Sequence, residues 1–280
     1  MAPRDEKKTS RAREPVKNEK VYHIQCERGD LSPYVLLPGD PERVQKIGKS
    51  WDRFAQIAYH REYRSIRGSY KGVDISCVST GIGSPSAGIA LEELARIGCH
   101  TVLRVGSTGV LQDIPCGDLI ISMGSVRFEG TSKEYIFPEY PAVAHFEVIL
   151  SLIEACECLG YPYHLGIGAS TDSFYIGQGR EGFDGYTRSH YTHFIEDLQN
   201  ASVLNFEMET SCILTLSSLF GLRAGAVCAV FANRVTGEFM QSGEEKAGKA
   251  ASEAVKILKE WDDLKKEKGK KWIFPSLVSK

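Results

Sequence analysis

The chain has 280 residues, 42% of them hydrophobic and 25% charged, with a formal net charge of −2. This is ordinary globular usage with length for a large core, and no apolar run approaches the roughly 18–20 residues of a membrane span. A charge so near zero gives no overall attraction to nucleic acid or an anionic membrane, so any anion site has to be local.

The opening MAPRDEKKTSRAREPVKNEK has no apolar core of a secretory signal, and Asp5, Glu6, Glu14 and Glu19 argue against a transit peptide. Residues 1–20 read as a disordered charged arm ahead of one folded domain over 21–280, in a cytoplasmic protein. PYVLLPGDPERVQKI, from Pro33, reads as a strand, a Pro-Gly-Asp turn and a helix start. KGVDISCVSTGIG, from Lys71, alternates as a strand and then meets glycines; SPSAGIALEELARIG follows as a helix, with Pro85 in its first turn and Gly98 at its end. HTVLRVGSTG (from His100) and GDLIISMGSV (from Gly117) are strands, FEVILSLIEACECLG (from Phe146) a helix, and HLGIGAS (from His164) a strand. EMETSCILTLSSLFG is a helix, AGAVCAVFANR a buried strand, and GEEKAGKAASEAVKILKEWDDLKKE a long amphipathic helix. Alternating strands and helices without an interior linker predict a single α/β domain with a largely parallel sheet.

The eight cysteines lie mostly in apolar patterns with no C-x-x-C, and read as buried free thiols of a reducing compartment. HYTH (His190 to His193) lacks further ligands and reads as a surface pair, not a metal site. The late KKEKGKK reads as a solvated helix end rather than a nucleic-acid patch.

GIGSPS, between a strand and a helix, lacks the third glycine of a dinucleotide fingerprint, and the next strand ends without a ribose-binding acid. No G-x-x-x-x-G-K-[ST] occurs, which removes nucleotide-triphosphate hydrolysis. Three strand-end turns remain, PGDPERV, STGIGSPS and RVGSTG, and ligands of open α/β sheets gather at such carboxyl ends. Backbone N–H groups at Gly39 and around Gly106, with the Ser107 and Thr108 hydroxyls, suit a small anion. Arg43, Arg61 and Arg104 are its candidate cations. The first two alone read as surface ion pairs, whereas Arg104 interrupts a core-type strand, where an unpaired charge costs several kcal/mol.

STGIGSPSAGIALEEL (Ser79 to Leu94) resembles the signature of the nucleoside phosphorylase-I family. LLPGDPERV, HREY, LRVGSTG, DSFYIGQGR, NFEMET and FANR occur in the order found in that family's uridine-cleaving members, and the resemblance runs from about Tyr22 to Leu258. It implies a single-domain three-layer α/β/α fold around a central twisted mixed sheet. It also implies phosphate held by Gly39, Arg43, Arg104 and Ser107, with Arg61 arriving from a neighbouring subunit. On that reading phosphate neutralises Arg104, which needs no protein carboxylate. Glu207, Met208 and Glu209 fall to the ribose, with His23 capping the 5′-hydroxyl across the subunit boundary. Phe174, Gln178 and Arg180 fall to the uracil, the Gln amide offering a donor and an acceptor together. Glu62, Ile82 and Ser86 match a monovalent-cation site between subunits, so potassium is an expected ion; no other cofactor is implied beyond phosphate as co-substrate.

The implied reaction is reversible phosphorolysis of uridine to uracil and ribose 1-phosphate, with Arg104, Glu209 and Arg180 as catalytic groups. A purine leaves best when its N7 is protonated, which calls for an acid, whereas uracil departs with charge on its carbonyl oxygens and favours cations. FANR offers Arg234 at the matching place, which with Arg180 favours the pyrimidine. The alternatives are a purine or mixed-specificity phosphorylase, a hydrolase of the same fold, and an inactive nucleoside-binding relative. The expected partners are these small molecules and further copies of the chain, in a homo-oligomer. The length between Arg180 and Glu207 resembles that of hexameric members.

Overall fold

The structure, a computed structural model, describes residues 16, 17, 19–191 and 193–278. Most of the segment read as an arm, residues 1–15 and 18, lies outside the described residues; β1 (Val16–Lys17) and β2 (Lys20–Val21) form an antiparallel ribbon. The chain continues as β3 (Tyr34–Pro38), α1 (Pro41–Gly48), β4 (Arg53–His60), β5 (Tyr63–Tyr70), β6 (Val73–Val78), α2 (Ser84–Ile97), β7 (Thr101–Val110) and β8 (Leu119–Arg127). Then come α3 (Thr131–Tyr135), β9 (Ala142–Val143), α4 (Phe146–Leu159), β10 (Tyr163–Ser170), α5 (Phe194–Asn200), β11 (Asn205–Glu207), α6 (Thr210–Phe220), β12 (Arg223–Asn233), α7 (Glu244–Lys268) and α8 (Pro275–Val278).

Strand periodicity decides the layers. Leu36, Leu103 and Val105 face one side, packing with Val44 and Ile47 of α1, Leu152 of α4 and Val255 and Leu258 of α7. Val35, Leu37 and Val102 face the other, packing with Leu91 and Leu94 of α2 and Ile213 and Leu216 of α6. The result is the three-layer α/β/α arrangement.

The sheet runs β11-β10-β8-β12-β7-β3-β6-β5-β4, with β9 added on β8. It is mixed rather than largely parallel: β3 is parallel to β6 and β7, β12 to β7, and β10 to β8 and β11, whereas β4–β5, β5–β6 and β8–β12 are antiparallel. Sequence pattern gave no sign of β4, because this edge strand is mostly exposed or half-buried and carries no apolar alternation. At the far end β11 pairs back on β7, with Phe206 opposite Gly109, so the sheet closes on itself where β7 ends.

That closure corrects one expectation. RVGSTG is not a strand-end turn, since β7 runs on through it to Val110. Gly106 is there for space: a Cβ would lie 2.6 Å from Cys228 Sγ and 3.2 Å from Arg104 Nη2. Six of the eight cysteines are buried and all are free, and burial pushes the Cys99, Cys156 and Cys228 thiols up to about 12. In HYTH, Thr192 and the His190 side chain lie outside the described residues; His193 is exposed and pairs with Glu196 at 3.3 Å. No helix among the described residues is long and apolar enough to cross a membrane.

The solvated reading of KKEKGKK also fails at one residue. Lys265 is buried, with Nζ 2.7 Å from both oxygens of the fully buried Glu147 on α4 and 3.0 Å from Asp262. Arg223 joins the cluster, 3.0 Å from Glu147 and 2.6 Å from Asp262. Burial opposes ionisation of Glu147, but Lys265, the Ile273 N–H and Arg223 hold its carboxyl below the usual range. An acid with a depressed pKa contributes stability that is present above its unfolded value and lost as pH falls through the folded one. Glu147→Ala should therefore cost about 3–5 kcal/mol of unfolding free energy at neutral pH, because it leaves Asp262 as the one carboxylate for two buried cations. Denaturant titrations on acidification should show the gap between wild type and variant closing below about pH 4. A gap that stays constant or widens in acid would contradict the assignment.

Candidate active site

A cavity of about 500 Å³ opens where β3, β7, β11 and β12 end, at the carboxyl edge of the sheet. Of the residues read for phosphate, Gly39, Arg43, Arg104 and Ser107 line it; of those for ribose, Glu207, Met208 and Glu209; of those for the base, Phe174, Gln178 and Arg180. Ile82 lines it too. His23, Arg61, Glu62, Ser86 and Arg234 do not.

Arg104 sits at the bottom, 4% exposed. The expectation that it needs no protein carboxylate is corrected: its Nε donates to Glu207 Oε2 at 2.8 Å, and its Nη2 pairs with Glu209 Oε2. Full burial of a guanidinium is too costly to leave unpaired between ligands. Its Nη1 is nevertheless buried without a hydrogen-bond partner, so the arginine keeps donor capacity at the cavity wall.

The two acids are held differently. Glu207 ends β11 and caps the following turn, its Oε2 also accepting from the N–H groups of Glu209 and Thr210 at 2.8 Å and its Oε1 from the Ser170 hydroxyl. Glu209 reaches across to α2, accepting from the Gly83 N–H at 2.5 Å. Gly83 is the N-cap of α2, has a left-handed φ of 94° and has no side-chain cap, so the carboxylate of Glu209 takes that place at the positive helix end. Burial opposes charge on both acids. In Glu207 the Arg104 guanidinium and the donors around it win, and the carboxyl is held below the usual range. In Glu209 burial and the neighbouring Glu207 charge prevail over Arg104 and push the carboxyl up. Two acids on one arginine thus divide into a fixed anion and one that holds a proton more readily.

Arg43, 8% exposed in the first half of α1, donates Nε to Glu244 Oε1 at 2.5 Å and Nη1 to the Val105 carbonyl at 3.3 Å. Gly39 lies one turn earlier, its carbonyl accepting from Gly81 N–H at 2.9 Å. At the other end of the cavity Arg180 stacks over Phe174, 4.1 Å from the ring centroid, and donates to Gln178 Oε1 at 2.5 Å. Arg234, read for the uracil edge, does not line the cavity; it donates to the Gln178 carbonyl and, at 3.4 Å, to that of Gly179. Its cation is spent on the backbone that presents Gln178.

Arg61 is exposed at the β4–β5 turn with φ 55°, its guanidinium 5.9 Å from the Tyr22 ring. His23 is close by: His60 Nδ1 lies 3.1 Å from the His23 carbonyl, and His23 Nδ1 is 2.8 Å from Glu93. The two residues read as belonging to a neighbour's site thus share one patch that does not line the cavity. Glu62 Oε1 accepts from the Ser86 hydroxyl at 2.9 Å, and that hydroxyl also reaches the Thr80 carbonyl.

Sequence reasoning missed Glu244, Ser170 and Gly83 as supports, and Phe239 and Gln241 as cavity walls. Glu244 was legible only as an acid in the first turn of a helix; nothing local tied it to an arginine 201 positions earlier. Ser170 closes a strand, and its signal was no more than a polar residue at a carboxyl edge.

A buried arginine with an unused N–H, paired with two acids in a cavity at the edge of this curled sheet, makes a candidate site for a phosphate-dependent glycosyl-transferring enzyme. The sequence profile of the Phosphorylase superfamily matches residues 33–260, and the chain belongs to that family. It is 58% identical over 273 residues to the uridine phosphorylase of Thermococcus kodakarensis, covering 97% of this chain and 99% of that one. It is 40% identical over 244 residues to the uridine phosphorylase of Escherichia coli K12, covering 86% and 96%. A guanosine phosphorylase of Halorubrum lacusprofundi is 39% identical over 219 residues, covering 78% and 86%.

The raised Glu209 carboxyl gives a signed prediction. As pH rises and Glu209 ionises, negative charge is added beside Arg104, so a dianion should bind more weakly. Sulfate, which does not change charge above the ordinary glutamate value of about 4.3, should lose affinity in calorimetric titrations as pH rises from there, and Glu209→Gln should flatten the dependence. Equal slopes in wild type and variant would dissociate Glu209 from the anion site.

Proposed function

We propose that this protein catalyses the reversible phosphorolysis of uridine to uracil and ribose 1-phosphate. One observation carries the reading: a single cavity holds Arg104, buried with an unused N–H, at one end and the Gln178–Arg180 pair at the other. Identity of 58% to a uridine phosphorylase over nearly the whole chain supports it.

Phosphate enters as the dianion HPO₄²⁻, gripped by Arg104 and Arg43 with the Ser107 hydroxyl and the Gly39 backbone. One of its oxygens forms a bond to C1′ as the bond from C1′ to N1 of uracil breaks, the bonding pair leaving with the base. The proton of the dianion ends on the released uracil, so ribose 1-phosphate departs as a dianion and charge balances. Positive charge develops on the ribose at the transition state, as in glycoside hydrolysis, and the fixed Glu207 anion lies near it. Glu209 and Met208 orient the sugar. Gln178 reads the adjacent N–H and carbonyl of the pyrimidine, and Arg180 takes up charge on the leaving uracil. This is positioning and electrostatics, with no covalent nucleophile.

The assembly we propose is a homo-oligomer, of six copies by the length of the loop after Arg180, in which Arg61 and His23 complete a neighbour's site. Their shared patch, which does not line the cavity, supports this. Glu62 and Ser86 set two hard oxygen donors 2.9 Å apart near the same edge, a pair suited to potassium, which would supply local charge between copies. The buried free thiols suit the cytoplasm.

A guanosine-cleaving reading has one observation behind it, the 39% identical guanosine phosphorylase. The acids that line the cavity argue the other way: Glu207 and Glu209 are on Arg104, and Asp40 caps α1 through the Glu42 N–H at 2.8 Å. None sits with Phe174 and Arg180, where a purine N7 would need one.

Purified protein incubated with uridine should release uracil only when phosphate is present, and guanosine or inosine should be cleaved far more slowly. Faster guanine release would give the purine reading, release without phosphate a hydrolase, and uridine binding without release an inactive relative. Arg104→Ala should lower turnover by about 10²–10³, the scale of one preorganised donor. Mixing Arg61→Ala with Arg104→Ala subunits should restore part of the activity, because an Arg61→Ala site can then borrow Arg61 from its neighbour. Hybrids no more active than their parents would rule out a shared site.

A further inference from the structure

Glu244 is the first residue of α7 and does not line the cavity, yet it makes the shortest charged contact of Arg43, 2.5 Å from Oε1 to Nε. Its second oxygen faces Lys46 Nζ at 3.4 Å. The start of α7 is itself pinned. Gly243 takes a left-handed φ of 82° against the Gly117 backbone, where a Cβ would fall 2.8 Å from the carbonyl oxygen, and Lys246 donates to the same carbonyl at 3.3 Å. The carboxylate is therefore delivered by a rigid helix start rather than by a wandering surface side chain.

We propose that Glu244 is a positioning residue for phosphate, fixing the Arg43 guanidinium by its Nε side so that its terminal nitrogens serve the anion. A guanidinium has five N–H donors in one plane. Glu244 takes the Nε–H and the Val105 carbonyl takes one Nη1–H at 3.3 Å, which orients the plane and leaves three donors. Two of those suffice for bidentate capture of a phosphate oxygen pair. The carboxylate also offsets the burial cost of Arg43 between turnovers, without occupying the edge that phosphate needs.

The inference rests on the uridine phosphorolysis reading, and two readouts separate their failures: KM values for phosphate and uridine, and the calorimetric Kd for inorganic phosphate alone. Glu244→Ala should raise the phosphate KM and Kd about tenfold, the value of one hydrogen bond to a charged group, with the uridine KM within about twofold. Glu244→Gln keeps an oxygen acceptor for Nε–H and should recover most of the affinity. Glu244→Asp keeps the charge but withdraws it by one methylene, and should behave like the alanine variant. If the aspartate variant binds phosphate like wild type while the glutamine variant does not, charge rather than orientation is at work and the proposal is overturned. It is overturned equally by a phosphate Kd that falls in Glu244→Ala, which would make Glu244 a competitor, or by phosphate and uridine KM rising together with a fall in Tm. Wild type that binds phosphate but releases no uracil refutes the activity and leaves the Kd comparison as the test of Glu244; wild type that binds no phosphate refutes both.

Discussion

The active end of this molecule is organised around one buried cation. Placing a guanidinium inside a closed sheet costs several kcal/mol unless the fold supplies its counter-charges, and the fold supplies two. Glu207 comes from the strand that curls back on β7, and Glu209 from the next turn. Each acid is in turn satisfied by backbone N–H groups at a helix start, Glu207 at α6 and Glu209 at α2. The arginine, two helix starts and the closure of the sheet therefore stand or fall together. The Thr108 hydroxyl reinforces the closure by donating to the Phe206 carbonyl at 2.5 Å while accepting from Asn205 at 2.8 Å.

The inequality of the two acids follows from this geometry and bears on function. If both were fully charged, the cluster would carry a net negative charge and repel phosphate. If both were neutral, Arg104 would be left unpaired between substrates. One acid surrounded by donors and one pushed up by burial and by its neighbour's charge sit between those extremes. Arg43, which also lines the cavity, is likewise paired, with one carboxylate on its Nε side and the Val105 carbonyl on Nη1.

Much of this was legible in the sequence, and the misses have physical causes. Strands such as YVLLP and helices such as SPSAGIALEELARI announced themselves because their burial is one-sided or complete. β4 did not, because an exposed edge strand has no reason to alternate. Arg104 was recognisable as an anomaly, a charge in an apolar strand, and the family's motifs placed most of the cavity wall. Its pairing with Glu207 was not legible, since the two residues are 103 positions apart and meet only because β11 closes on β7. Gly106 was misread as a turn for a related reason: a glycine demanded by the crowding of Cys228 and Arg104 looks in sequence like one demanded by dihedral angles. Arg234 was read by its motif as a base contact, whereas carbonyls in the folded loop claim it first.

The position of His23 bears on the proposal that the site is shared between copies of the chain. Glu93 accepts from the backbone N–H groups of His23 at 3.0 Å and Ile24 at 2.8 Å, and meets the imidazole Nδ1 at 2.8 Å. His23 is thus fastened to α2 near its far end, while the near end of the same helix, at Gly83, holds Glu209 in the cavity. Ten residues of helix separate Glu93 from Gly83, about 15 Å at 1.5 Å per residue. A residue fastened to Glu93 by its own and the next backbone N–H as well as by its imidazole cannot swing that distance to its own ribose shelf. Arg61 lies in the same patch, beside Tyr22, and is no nearer to being a cavity residue. A helix that holds Glu209 at its start and His23 toward its end forces the choice for His23: on the proposed reading it serves another copy's substrate, and otherwise it serves none.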